Sequence, residues 1–318
     1  MPERLYFLVN PISGNGRAGE VAEEAIRRLR GRGYASDQEA ALQVTEFGKI
    51  GEQSRAACLR YDRIVAVGGD GTVRDVASGI LQAGLGRKLG IIPLGHGNDL
   101  SRALGIAQRV RPGDGQMERL LAILLGDRLR RVDVWSVNGV HFCNYLGVGF
   151  DARVVRDFAR WRGVWRGRLL RSNVLSELTY VLCGVRNLRY RLQRPLRLEL
   201  PGGGGPSITV PAGARTLLLT NLPFYAAGAR VSRQAAPDDG RLELTVFRRL
   251  APFLLLLLTR WWPGLPWGGA AQRQITGCEV YGLTSPDVHA DGEDLSGPLA
   301  GARTLRVARA GQVEVLVP

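Results

Sequence analysis

Along the first part of the chain, short and mostly apolar runs alternate with stretches of helical period. Leu5–Val9, Ala41–Thr45, Ile64–Val67 and Leu89–Ile92 read as strands buried on both faces. Between them, Gly19–Arg30 places Val21, Ala25, Ile26 and Leu29 on one helical face. Further helices are predicted over Arg55–Arg60, Val73–Leu81, Asp99–Leu104 and Met117–Leu125. This alternation predicts an α/β domain with a parallel sheet covered on both sides. From about Val132 the period shortens. Val132–Val137, Leu196–Leu200, Thr216–Asn221, Leu242–Phe247, Glu279–Leu283 and Val313–Val317 predict antiparallel strands with one solvated face. Pro201-Gly-Gly-Gly-Gly-Pro206 reads as a flexible hairpin tip. The expectation is an α/β domain over 1–132 and a β-rich antiparallel domain over 133–318, whose C-terminal segment could return to the first.

Composition narrows the class. Apolar residues make up 45% and charged residues 23% of the 318, which excludes a mainly disordered chain. The 42 glycines show no period, so collagen is excluded and glycine-dependent loops are expected. The net charge is +14, and all but Lys49 and Lys88 of the 43 basic residues are arginine. Such a field favours anionic partners: nucleotides, nucleic acid or acidic lipid. The four cysteines have no paired spacing and read as reduced thiols of a cytoplasmic protein. No pair among His96, His141 and His289 has zinc spacing, and no GxSxG nucleophile elbow occurs.

Three predicted strands end in small, polar, glycine-rich loops that lead into helices. They are Asn10-Pro-Ile-Ser-Gly-Asn-Gly16, Gly68-Gly-Asp-Gly-Thr72 and Pro93-Leu-Gly-His-Gly-Asn-Asp99. In an open parallel sheet such loops gather at the carboxyl ends of the strands, where ligands bind. Exposed N–H groups backed by helix N-termini attract phosphate. Asp70 stands in the middle of the second loop, where a bare carboxylate would repel phosphate. A divalent cation such as Mg²⁺ between them resolves the conflict. Thr72 is then expected to cap the helix opening at Val73.

With these loops in view, VAVGGDGTVRDVASGI resembles the hallmark of the diacylglycerol kinase catalytic domain superfamily, which includes sphingosine kinases and bacterial lipid kinases. LVNPISGNGRAG and IIPLGHGNDLSRALGI are similar to its opening loop and its Pro-x-Gly-Thr-x-Asn-Asp segment. His289-Ala-Asp-Gly-Glu293 resembles its Asp-Gly-Glu motif, and Ala236-Pro-Asp-Asp-Gly-Arg-Leu242 resembles a structural Mg²⁺ segment of bacterial members. The motifs run in family order over essentially the whole chain. The resemblance implies a phosphofructokinase/NAD kinase-like first domain and an ATP- and Mg²⁺-dependent lipid kinase of phospholipid metabolism, acting most simply on diacylglycerol.

The same resemblance implies roles by position. Asn10, Ser13, Gly14 and Thr45 would line the nucleotide phosphates. Gly68, Gly69, Asp70, Gly71, Thr72, Val73 and Arg74 would wrap them, with Asp70 near the catalytic Mg²⁺ and His96 and Asn98 at the same site. Glu293 would be the general base in the bacterial pattern, whereas the sphingosine kinase pattern gives that role to Asp70. The reaction would then take place in a cleft between the two halves. Asp239 would give its carboxylate, and Ala236 and Arg241 their carbonyls, to a structural Mg²⁺. The chain departs from the pattern at His96, where many relatives carry Thr, and at Asp75, where Glu is usual. ATP against another nucleoside triphosphate, a sphingoid base against diacylglycerol, and a non-catalytic regulator with the same fold stay open at this point.

Two stretches suit contact with an anionic membrane. Arginines 153, 156, 160, 162, 166, 168 and 171 flank Trp161 and Trp165, and Phe253–Leu258 precedes Trp261, Trp262 and Trp267. Each has a plainer reading, a solvated basic helix face and a core helix respectively. The longest apolar run is far short of a bilayer span, so attachment at the inner membrane surface is the expectation. No nucleic-acid module accompanies the charge, so nucleic acid is not an expected partner, and homodimerisation stays open.

Overall fold

The computed structural model describes residues 3–34, 36–106, 115–164, 173–202, 207–268, 270–285 and 287–318. The chain forms two compact units, residues 1–134 with 311–318, and residues 135–310. It passes from one to the other within the strands Leu129–Val137 and Thr304–Leu316.

In the first unit the chain runs β1 (Leu5–Val9), α1 (Ala18–Arg30), β2 (Ala40–Val44), α2 (Ile50–Ala57), β3 (Arg63–Gly68), α3 (Asp70–Ala83), β4 (Lys88–Pro93), α4 (Asp99–Ala103), α5 (Gln116–Leu125) and β5 (Leu129–Val137). The sheet order is β2-β1-β3-β4, with every pair parallel. β3 is buried along its whole length, which is why its sequence is an uninterrupted apolar run. The helix predicted over Arg55–Arg60 instead occupies Ile50–Ala57, where Ile50, Ser54 and Ala57 turn inward. Because β1 pairs with both β2 and β3, successive crossovers leave it in opposite directions. That reversal opens a crevice at the carboxyl ends of β1 and β3, the usual ligand position in such sheets.

The second unit continues with β6 (Val140–Phe142), β7 (Tyr145–Gly149), α6 (Phe150–Val164), α7 (Asn173–Arg186), β8 (Leu196–Glu199), β9 (Ile208–Val210) and β10 (Thr216–Thr220). There follow β11 (Phe224–Tyr225), β12 (Ala229–Arg230), β13 (Leu242–Phe247), α8 (Leu250–Leu258), β14 (Ala271–Ile275), β15 (Gly277–Tyr281), β16 (Val288–Ala290), β17 (Glu293–Asp294) and β18 (Thr304–Leu316). Six strands form an antiparallel sheet in the order β14-β13-β10-β7-β16-β17. One of its faces, with Leu146, Val148, Leu217 and Leu219, packs in a common core with Leu198, Val280 and Val307 of the β8–β15–β18 strands. Its other face, with Tyr145, Leu218 and Phe247, packs in a second core with residues of α6, α7 and α8. β10 is therefore covered on both sides and is buried throughout.

The strand predicted at Val313–Val317 is antiparallel on one side only: β18 runs against β5, with the Val317 N–H donating to Arg128 O and the Asn138 N–H to Arg306 O. Glu314 and Val315 pair in parallel with Lys88 and Leu89, adding the end of β18 to the first unit's sheet. A single strand's period carries no information about its partner's direction. The hairpin-tip residues 203–206 lie outside the described residues, as do Trp165, Arg166, Arg168 and Arg171. All four cysteines are buried and none forms a disulfide. Burial pushes the Cys58 thiol up to about 11 and the Cys278 thiol up to about 12, so both are inert hydrophobes at neutral pH. No helix among the described residues is long and apolar enough to cross a membrane.

Candidate active site

The three glycine-rich loops meet. The Asn10 N–H donates to Val67 O at 3.1 Å, tying the first loop to the end of β3. The Gly14 N–H donates to Leu94 O at 3.1 Å, and the Leu94 N–H donates to Gly68 O at 2.8 Å. The Asn10 side chain donates to the Thr72 hydroxyl at 2.9 Å. Backbone hydrogen bonds thus lock the first loop to the third and the third to the second. Asn10 also accepts from the Ile12 N–H through its side chain and from the Ser13 N–H through its carbonyl, at 3.3 and 3.1 Å. Gly14 and Asn15 both take left-handed backbone. Thr45 is buried at the end of β2, its hydroxyl donating to Val9 O at 3.1 Å.

Close approach explains two of the glycines. A side chain on Gly95 would start 2.6 Å from the Gly69 α-carbon, so the second and third loops touch backbone to backbone. Asn98, fully buried with φ near +50°, closes the third loop on itself. Its amide accepts from the Gly95 N–H and donates to Gly95 O, both at 2.9 Å. His96 projects at the exposed tip of that loop.

Two expectations need correcting here. Thr72 is not the helix cap. α3 begins at Asp70, Gly69 is the extended residue before it, and Thr72 sits in the first turn as the acceptor for Asn10. Glycine at that position leaves the first-turn N–H groups open to an external acceptor. Asp70, for its part, is not a bare carboxylate. Its two oxygens accept the N–H groups of Asp99 and Leu100, each at 3.3 Å. It therefore holds α4 as well as facing the loop. Arg74 is buried one turn into α3 and pairs with Asp75 at 2.7 Å, a contact the shorter acidic side chain at 75 can make.

In the second unit, Glu293 lies exposed on β17, whose partner strand is β16, with Ala290 opposite Glu293. Asp291 between them is buried, with left-handed backbone at φ near +50°. Its carboxylate accepts the N–H groups of Cys143, Asn144 and Tyr145 at 2.8, 2.8 and 3.0 Å. Two members of one short motif are thereby divided: one anchors the turn and the other is presented to solvent. Asp239 lies exposed, one oxygen accepting the Arg241 N–H at 2.9 Å across Gly240.

The sequence gives no warning of a buried polar cluster at the start of α6. The Asp151 carboxylate meets His289 Nε2 at 2.9 Å and accepts from the Thr216 and Tyr225 hydroxyls, each at 3.2 Å. His289 is 1% exposed, and its Nδ1 has no hydrogen-bond partner among the described residues. Burial, reinforced by the Asp151 charge, pushes the Tyr225 phenol well above its ordinary range and keeps it a donor. A charge as unfavourable to bury as Asp151 is the signal that partners must exist, but they come from positions far apart in sequence. The cluster fixes β16 to α6 and so fixes the hairpin that carries Glu293. Gly147 makes room for it: a Cβ there would lie 2.2 Å from both the Asp151 carboxylate and His289 Nε2. Gly147→Ala is expected to destabilise the protein by about 2–3 kcal/mol in urea unfolding, because it drives a methyl group into a buried polar contact.

Parallel β-strands whose glycine-rich loops are hydrogen-bonded to one another at the carboxyl end of the sheet are the scaffold of a phosphate-binding protein. The diacylglycerol kinase catalytic domain matches residues 4–137, and the diacylglycerol kinase accessory domain matches residues 141–255. The chain is 33% identical over 254 residues to a diacylglycerol kinase of Staphylococcus aureus (strain bovine RF122 / ET3-1), covering 78% of this chain and 72% of that one. It is 27% identical over 322 residues to a protein of Pseudomonas syringae pv. tomato described as "Probable lipid kinase YegS-like", covering 100% of this chain and 95% of that one. A crystal structure of a diacylglycerol kinase from Bacillus anthracis str. Sterne shares the fold with a TM-score of 0.68 at 20% identity, over 99% of this chain and 97% of that chain. The chain belongs to the diacylglycerol kinase family and is an ATP-dependent lipid kinase.

Proposed function

We propose that the protein transfers the γ-phosphate of ATP to the free hydroxyl of diacylglycerol at an anionic membrane surface. The observation that carries this reading is the mutual locking of the three loops at the reversal point of the parallel sheet. It sets the N-terminus of α3, whose first-turn N–H groups no side chain caps, where a triphosphate would lie. In this reading Asn10, Ser13, Gly14, Thr45, Gly68 to Arg74, His96 and Asn98 form the nucleotide site. Asn10, Thr45 and Asn98 shape the loops from within, and the Ser13 and Gly68–Gly71 segments approach the phosphates.

The donor chemistry suits Mg²⁺ at Asp70, a hard carboxylate beside a phosphate site. No group of three His, Cys, Asp or Glu side chains stands together among the described residues, so phosphate oxygens and water would complete the shell. When bound, the ion would neutralise charge on the transferring group. At the second position, the Asp239 carboxylate and the Ala236 and Arg241 carbonyls are likewise hard oxygen donors around a tight turn.

Phosphoryl transfer asks the protein mainly for positioning and charge stabilisation, plus a base for the acceptor hydroxyl. Glu293 takes that role here because it is exposed on a rigid hairpin, while Asp70 already accepts two backbone N–H groups. The test is incubation with γ-labelled ATP, Mg²⁺ and a total lipid extract, then with purified diacylglycerol and sphingosine. Label in phosphatidic acid supports the reading. Label only in a sphingoid base overturns the choice of acceptor, and ATP binding without transfer to any lipid overturns the kinase.

A further inference from the structure

α7 is a helix with two apolar sides. Its inner side, at Thr179 and Cys183, is buried on α6. Asn187, just past its end, donates to Asp157 at 2.8 Å, and Tyr180 packs on Phe158 with ring centres 5.1 Å apart. Its outer side is apolar as well. Leu178, Val181, Leu182 and Val185 are each 54–62% exposed, and they recur at helical spacing with Leu175 one turn earlier. Scattered exposed leucines are ordinary, but a contiguous stripe on one anchored helix is not.

The surroundings say what would cover it. Between Glu177 and Glu199 the chain carries no acidic residue and five arginines, 186, 189, 191, 194 and 197, all exposed. α8 packs in the same core as α7, through Phe253 and Leu256, and also turns an apolar side outward at Leu254 and Leu258. After it stand Trp261 and Trp262, 59% and 62% exposed, in a stretch with no acidic residue between Glu243 and Glu279. Trp161, at the outer end of α6, is exposed too. Leucine and valine flanked by arginine and tryptophan, with acidic residues excluded, match the acyl boundary and headgroup layer of an anionic bilayer. A protein partner would need no such exclusion of acids over two separate segments.

We infer that the outer faces of α7 and α8 are the surface by which the protein docks on an anionic membrane, with the α7 stripe dipping into the acyl boundary and the arginines on the headgroups. The inference rests on the lipid kinase reading for its choice of occupant. Its test compares the wild type with a variant carrying Leu178→Ser, Val181→Ser, Leu182→Ser and Val185→Ser. Each protein is sedimented with phosphatidylcholine vesicles with and without phosphatidylglycerol. Turnover is measured on diacylglycerol held in those vesicles and on a short-chain diacylglycerol dispersed without them. The wild type is expected to sediment with the anionic vesicles. The variant is expected to sediment about tenfold less or worse, to lose vesicle turnover in step, and to keep both its unfolding midpoint and its turnover on the dispersed substrate. Unchanged sedimentation and vesicle turnover would overturn the docking surface. So would a wild-type dimer in sedimentation velocity that the variant converts to monomer, since a second copy would then cover the stripe. Absence of turnover on both substrates by the wild type would instead remove the kinase reading, a result distinct from either.

Discussion

Glu293→Gln is expected to lower turnover on diacylglycerol by about two orders of magnitude or more, with nucleotide affinity and stability essentially unchanged. The side chain is exposed on β17, so the amide replaces the carboxylate without leaving a cavity or an unpaired buried group. The Glu293→Gln glutamine keeps the shape and the hydrogen-bonding reach but cannot take a proton. Loss confined to kcat, with ATP titrating as in the wild type, is therefore the signature of a base and not of a structural residue. Turnover within a few-fold of wild type would move the base elsewhere, and Asp70→Asn would be the next comparison. That second variant has a different expected profile. Asp70 holds the N–H groups of Asp99 and Leu100, so its loss should disturb the third loop and weaken ATP binding as well.

Asp291→Asn, two residues away, should do the opposite. It should cost about 2–3 kcal/mol of stability in urea unfolding, with activity falling because the hairpin loosens. The carboxylate is buried and accepts three backbone N–H groups from Cys143 to Tyr145. An asparagine tolerates the left-handed backbone at this position, so strain is not the cause. Its amide turns one acceptor into a donor and aims it at N–H groups that are themselves donors. At least one of those groups is then left buried and unsatisfied. The turn has other supports that keep the variant folded. The Asn221 side chain donates to Cys143 O at 2.8 Å and accepts from the Trp135 indole at 3.1 Å. An unchanged urea midpoint for Asp291→Asn would refute this account of the motif.

Much of the first unit is legible in the chain. Strands buried on both faces must be continuous apolar runs, and loops that approach one another backbone to backbone must be glycine. The strand–helix alternation, the three loops and their order could be read directly for those two reasons. The Asp-Gly-Glu segment was legible as a motif but not as two residues with different duties. Nothing local distinguishes a carboxylate that receives three N–H groups from one that faces water. The Thr72 hydroxyl looked like a cap because Thr before a helix usually is one; a side chain 62 residues away, Asn10, takes it instead.

By itself the sequence determined the alternating architecture, the phosphate-type loops and the anion-seeking charge, since each follows from local periodicity or residue type. Only the tertiary structure decided that the last strand lies parallel to β4, that Asp151 and His289 meet across 138 residues, and that α7 is apolar on its outer side. Periodicity tells which residues avoid water, not which neighbour covers them. On a helix as apolar as α7, the inner and outer stripes become distinct only when α6 occupies one of them.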